Sequence, residues 1–239
     1  MTATDAKELW AAGDAYEPYV GRWSRLVARE FVAWLGCPPG LAWLDVGCGT
    51  GALTQTILAQ AAPREVVGVD PSPGFIAHAR RATDDPRARF EIGDAMALPI
   101  SDGAFDVVVS GLVLNFIPDA QRALVEMRRV SRPGGVVAAY VWDYAGKMEL
   151  IRYFWDAAVA LDPTEARPLD EGVRFPICGP AALERAYRAA GFDDVVARAI
   201  DVPTRFRDFD DYWSPFLGGQ GPAPGLCDVA LQRASYRLA

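Results

Sequence analysis

Residues 43–53 read WLDVGCGTGAL: Gly47, Gly49 and Gly51 alternate with other residues directly after an apolar run, and a carboxylate, Asp45, stands two residues ahead of the first glycine. At this spacing the first glycine lets a strand turn sharply, the second admits a ligand against bare backbone, and the third lets the next helix pack close. The chemistry is the holding of a nucleoside-bearing ligand at a strand-to-helix turn. Gly47, Gly49 and Ala52 also satisfy G-x-G-x-x-A, so the glycines alone leave open which ligand it is. Two further acids stand at matching places: Asp70 closes EVVGVD, and Asp94 opens the run DAMALP after a glycine.

The acids discriminate where the glycines do not. A carboxylate at Asp70 can accept from both ribose hydroxyls, which serves a nicotinamide dinucleotide and S-adenosylmethionine (SAM) alike. Asp45 separates the two. A pyrophosphate beside the loop would face it, and two like charges about 4 Å apart cost about 1 kcal/mol in water and about 4 kcal/mol at a near-surface dielectric. A ligand carrying an ammonium and a sulfonium reverses that sign. Asp94 can accept from an adenine amino group while the N–H of Ala95 or Met96 donates to the ring, and a dinucleotide does not call for an acid there.

Such residues converge only if strand ends are brought side by side. Residues 5–35 read as helical, with Leu26, Val27, Phe31, Trp34 and Leu35 near one face. Strands are expected at 41–47, 65–70, 88–94, 105–114 and 136–142, and helices at 52–61, 73–83 and 119–131. The last of these carries an inner stripe of Ala120, Ala123, Leu124, Met127 and Val130. RPGG (132–135) reads as a turn. This alternation predicts an α/β fold, a doubly wound, Rossmann-like and mainly parallel sheet whose ligand lies beyond the strand carboxyl ends. Beyond Trp142 the rhythm changes to a helix at 147–161, a proline-rich stretch, a helix at 181–192, a sixth strand at 194–202 and a short amphipathic helix before a glycine- and proline-rich end. No seventh strand is legible.

Composition excludes several classes. The 239 residues carry a net charge of −7 and no long basic stripe, so a small-molecule partner is expected rather than nucleic acid. The four cysteines, Cys37, Cys48, Cys178 and Cys227, are scattered, and His78 is the single histidine, which leaves little material for a metal site or a cysteine–histidine nucleophile. No apolar run reaches membrane-span length and no leader pattern opens the chain, so a cytoplasmic location is expected.

The chain resembles the class I SAM-dependent methyltransferases over residues 40–143. LDVGCGTG is similar to their first motif, VVGVD to the second, GDAMALP to the third, and FDVVVSGLVLNFIPD with RVSRPGG to the fourth and those after it. AYEPYVGRWSRLVAREFVAWL resembles the N-terminal helix of small-molecule members akin to ubiquinone and menaquinone methyltransferases. The resemblance implies a single methyltransferase domain over 1–239: an N-terminal helical cover at 1–35, a SAM-binding core at 40–143, and substrate-covering helical insertions at 144–180 and 203–239. It implies that Asp45, Gly47, Cys48, Gly49 and Gly51 hold the methionine end of SAM. Asp70 would hold the ribose beside Pro71 and Ser72, and Asp94, Ala95 and Met96 the adenine. Gly111 would be a further cofactor-binding residue. Tyr16, Tyr19 and Arg22 would fold over the cofactor, with Arg22 a partner for its carboxylate. Family members close the sheet with an antiparallel pair of strands, and the missing seventh strand departs from that pattern.

The implied reaction is in-line displacement of a methyl group from a positively charged sulfur, leaving S-adenosylhomocysteine (SAH). The protein has to align the partners and exclude water, so it needs neither a nucleophile of its own nor always a base. Asn115, Tyr140, Asp143 and Tyr144 are the candidates near the ends of the fourth and fifth strands; Asn115 can orient an acceptor but cannot act as a base. Trp142, Phe154, Trp155, Phe175 and Trp213 could line a pocket for a small, partly apolar acceptor. Monomer and homodimer both fit. Two alternatives stay open on sequence: a protein that holds SAM without catalysis, and a nicotinamide-dependent oxidoreductase.

Overall fold

The computed structural model describes residues 22–217. Tyr16, Tyr19, Cys227 and the expected helical stretch before Arg22 lie outside the described residues. The described chain divides into a sheet unit, residues 25–143 and 177–201, and a helical unit that takes in 22–24, 144–176 and 202–217.

The sheet unit holds β1 (Ala42–Val46), β2 (Glu65–Asp70), β3 (Ala88–Ile92), β4 (Phe105–Gly111) and β5 (Ser131–Tyr140). All pair in parallel, in the order β3-β2-β1-β4-β5. Every residue of β1 is buried, as expected for the central strand of a sheet covered on both faces. Ahead of the sheet runs α1 (Arg22–Leu35). Between strands run α2 (Ala52–Gln60), α3 (Pro73–Ala82) and α4 (Ala120–Val130). Right-handed crossovers of this kind turn all the strand carboxyl ends one way.

Helix-period spacing brings the apolar stripe of α4 onto one sheet face. Ala123, Leu124, Met127 and Val130 are fully buried there with Leu44, Val46, Val67, Val69 and Val108. Asp119 caps α4 by accepting from the Arg122 N–H at 2.9 Å. On α1 the buried face is Val27, Ala28, Phe31 and Val32, while Leu26 is 39% exposed, so the expected face is rotated by part of a turn.

Two strand expectations are corrected. Residues 194–202 form no strand. Hydrophobic alternation reports packing, not pairing: Val195 rests on the core, Val196 is 69% exposed, and no ladder partner lies along the segment among the described residues. The fifth strand begins at Ser131 rather than after the RPGG turn. Its register jumps from Phe105↔Ser131 to Val107↔Val136, so Arg132–Gly135 form an irregular bulge within the pairing.

The helical unit comprises α5 (Glu149–Leu161), α6 (Pro163–Ala166), α7 (Glu171–Arg174) and α9 (Phe209–Trp213); between them in sequence, α8 (Pro180–Ala189) belongs to the sheet unit. Asp162, Asp170 and Asp208 cap α6, α7 and α9 by accepting from backbone N–H groups. Aromatic rings form the unit's interior. Phe154 stacks on Phe216 at 4.7 Å and meets Trp155 edge-on at 4.9 Å.

Candidate functional site

The glycine turn leaves the carboxyl end of β1. The N–H groups of Gly47 and Cys48 both donate to Val69 O, at 2.7 and 3.1 Å, which folds the turn toward the end of β2. Gly47 has φ +74°, and a Cβ there would lie 2.5 Å from Val113 Cγ1, so only glycine fits between the turn and the segment after β4. Gly49 has φ +53° and nothing within 4 Å of a Cβ position, so the side where a side chain would stand is open. α2 then starts at Ala52 with no side-chain cap.

Asp45 lies beneath this turn, within β1 and opposite Gly68 and Val109 in register. It is 0% exposed. Thr54 Oγ1 donates to its Oδ2 at 2.7 Å, while Oδ1 is buried with no partner. Burial pushes the carboxyl up to about 7, with the nearby Asp70 charge adding to the rise and the Thr54 bonds opposing it. Cys48 is buried beside these acids, and burial pushes its thiol up, so it is no thiolate nucleophile.

Asp70 ties two loops together. Its Oδ2 accepts the Gly49 N–H at 3.0 Å and its Oδ1 accepts the Ser72 N–H at 2.9 Å. Burial raises its pKa, and the two backbone bonds counter part of that rise. Ser72 in turn caps α3, with Pro71 exposed before it and Pro73 opening the helix. Asp94 is exposed, and its Oδ1 accepts the Met96 N–H at 2.9 Å, a tight turn that leaves Ala95 buried. Gly111 ends β4 against the Tyr140 ring, whose Oη would lie 2.6 Å from a Cβ.

The sheet unit thus brings together Asp45, Gly47, Cys48, Gly49, Gly51, Asp70, Pro71 and Ser72 around one turn, with Asp94–Met96 and Gly111 at neighbouring strand ends. Arg22 belongs to the helical unit. It is paired with Asp211 at 3.2 Å and lies 4.1 Å over the Trp23 ring. Tyr144 is buried against Phe175 in the same unit, and Phe154, Trp155 and Trp213 join the aromatic interior. Trp142 Nε1 and Asn115 Nδ2 are buried without partners. His78 is exposed on α3. Sequence reasoning passed over Thr54 and Val113. A lone threonine in a helix's first turns and a valine inside an apolar run carry no signal until the fold sets them against Asp45 and Gly47. Among the described residues no group of His, Cys, Asp and Glu is placed to hold a metal ion, and no helix is long and apolar enough to cross a membrane.

Residues 44–139 match a family described as a methyltransferase domain. A 2-methyl-6-phytyl-1,4-hydroquinone methyltransferase of Synechocystis sp. is 37% identical over 187 residues, 77% of this chain and 57% of that protein. A 37.1 kDa transposon protein of Streptomyces fradiae is 39% identical, so the chain spans about half the length of these relatives, 49% in this case. Among solved structures, a Haloferax volcanii methyltransferase in complex with the Trm112 activator shares the fold with TM-score 0.60 and 22% identity, over 86% of this chain and 91% of that one. The [4+2]-cyclase SpnF has TM-score 0.52 and 27% identity, over 70% and 56%. A demethylmenaquinone methyltransferase of Staphylococcus aureus is 30% identical over 190 residues, 74% of this chain and 77% of the relative. That breadth of match decides the family: the chain belongs to the class I SAM-dependent methyltransferases and resembles those of quinone biosynthesis.

Proposed function

We propose that the turn after β1 holds the methionine end of SAM and that the chain transfers the methyl group to a small, partly apolar metabolite. The observation that carries this reading is the unsatisfied Asp45 Oδ1 beneath a turn left bare at Gly49. A buried carboxyl without a cation favours a positive group nearby, and the uncapped start of α2 favours a negative one. An amino-acid end, with its α-ammonium and α-carboxylate, suits both. A diphosphate suits only the second. Asp45 is fully buried, so it acts on a ligand through its field rather than at the surface.

Asp70 accepts ribose hydroxyls on the lone pairs that Gly49 and Ser72 leave free, and Asp94 accepts from the adenine amino group beside Ala95 and Met96. SAM supplies a methyl group on a positively charged sulfur. The residues around the turn fix where that end of the ligand lies and keep water from it. Two relatives carry names for methylation of a hydroquinone and of demethylmenaquinone, which agree with a partly apolar acceptor.

Thermal shift and calorimetry with SAH and with NADH test the cofactor. Saturable stabilisation by SAH and none by NADH is expected. Labelled SAM incubated with a metabolite extract tests transfer. A second reading, a SAM-binding chain without methyl transfer, is favoured by the likeness to SpnF, named a [4+2]-cyclase. SAH binding with no labelled product across a broad panel selects it.

A further inference from the structure

Residues 93–104 join β3 to β4 without belonging to either strand, so their carbonyls need partners from elsewhere. Side chains of α4 supply them. Arg122 Nε donates to Met96 O at 2.8 Å, and Arg129 donates to Leu98 O at 3.1 Å and to Ile100 O at 2.7 Å. Glu126 Oε2 accepts the Leu98 N–H at 2.9 Å and pairs with Arg129 at 2.7 Å. Arg122, Glu126 and Arg129 stand four and three residues apart, on one face of the helix. Ala95 and Leu98 turn inward and are buried, while Asp94 and Arg122 are exposed. Met96 joins these two exposed groups: its C=O accepts from Arg122, and its N–H donates to Asp94 Oδ1 at 2.9 Å. A short chain of bonds thus runs from α4 through one residue to a surface carboxylate whose other oxygen is left for a ligand.

Resting on the cofactor reading above, we propose that Arg122 is a positioning residue for the nucleoside base: acting through Met96, it aims the Asp94 carboxylate and makes the site select a purine with an exocyclic amino group. A carboxylate accepts and cannot donate, so it pairs with an amino N–H and opposes a carbonyl oxygen at the same ring position. That opposition discriminates only while the carboxylate is held where the base arrives, because a group free to turn away escapes the mismatch. The Met96 N–H fixes Oδ1 against the loop's own backbone. Arg122 fixes that backbone to α4, whose apolar stripe is locked in the sheet-unit core. The guanidinium charge makes this bond to a carbonyl stronger than a neutral one.

The test uses the full chain with SAH and with S-inosylhomocysteine, in which an oxygen replaces the purine amino group. Calorimetry gives both affinities for wild type, Arg122→Met, Asp94→Ala and the double variant. Arg122→Met keeps the aliphatic stem and removes the donor. Wild type should bind SAH at least about 10-fold more tightly than the inosyl analogue. Arg122→Met should weaken SAH binding roughly 3- to 10-fold and leave the analogue within about twofold, so the ratio shrinks. In the Asp94→Ala background the same substitution should change SAH affinity by less than about twofold. Equal weakening of both ligands makes Arg122 a structural brace and overturns the proposal, as does a ratio that stays at the wild-type value. Additive effects in the double variant show that Arg122 does not act through Asp94, and overturn it as well. Equal binding of the two ligands by wild type removes the base preference and the proposal with it. Failure of SAH to bind wild type defeats the cofactor reading first.

Discussion

Replacing Asp45 by Asn removes an ionisable group from β1 and keeps an oxygen for the Thr54 hydroxyl. Burial lifts the Asp45 carboxyl from 3.8 to about 7. That is roughly 3 pH units, or about 4 kcal/mol at about 1.36 kcal/mol per unit. The folded chain holds this proton more tightly than the unfolded chain does. Its contribution to stability is therefore complete below about pH 4 and is lost as pH rises through about 7. About 2.5 kcal/mol of the loss falls between about pH 5 and pH 8. Asp45→Asn lacks that slope and carries instead a constant penalty of about 1–3 kcal/mol for an amide end without a partner. Urea unfolding without ligand at the two pH values reads the difference directly: wild type should lose about 2.5 kcal/mol more than the variant. Parallel losses refute the reasoning. Ligand binding supplies a second reading. A positive charge about 6 Å from Asp45, at an effective dielectric of about 20, is worth about 3 kcal/mol, or about 2 pH units. Cofactor binding near pH 7 should then release about half a proton, seen as a calorimetric heat that depends on the buffer's ionisation enthalpy. Buffer-independent heats sink the linkage.

Four more outcomes follow from single contacts. Glu171 is 1% exposed, and its carboxyl, which accepts from the Trp155 indole N–H, is pushed up from 4.5 to about 7 by burial. The sign is the same as for Asp45, so Glu171→Gln should remove a loss of about 3 kcal/mol that wild type suffers from about pH 4 to above pH 7; a variant with the wild-type slope counts against it. Asp70→Ala should weaken SAH binding by roughly 1.5–3 kcal/mol, and an unchanged Kd by calorimetry removes the ribose assignment. Tyr187 Oη is buried in the sheet-unit core without a partner. Tyr187→Phe should raise Tm by about 2–4 °C, and a fall would show a bonded hydroxyl. Gly47→Ala drives a methyl group into Val113, and the double variant with Val113→Ala should recover part of the lost stability but not the strain of φ +74°. Simple additivity in that cycle would show that the two residues do not touch.

Legibility followed how each signal arises. The α4 stripe was legible because helix periodicity and burial are one fact: Ala123, Leu124, Met127 and Val130 are all fully buried. β1, β2 and β4 were legible because strands covered on both faces are continuous apolar runs. Residues 194–202 looked like a strand for the same local reason, but a strand also needs a neighbour with free backbone groups, which a single segment cannot announce. The end of β4 came earlier than expected because Leu112 turns left-handed, and nothing in Leu-Val-Leu signals that. The glycine turn and its acids were visible as types at a spacing. That Asp45 lies below the turn, bonded to Thr54, depends on how α2 packs and so emerged only with the fold.

The site's preference and its pH-dependent instability both start from one buried carboxyl, Asp45. A carboxyl sealed under the turn and bonded by neutral Thr54 favours whatever returns a positive charge to its neighbourhood, and until that happens the folded chain carries the deficit. Neutralising Asp45 therefore flattens the pH dependence of stability, which burial creates, and weakens cofactor affinity, which the Asp45 charge supports. Methyl transfer asks the protein for placement more than for proton traffic.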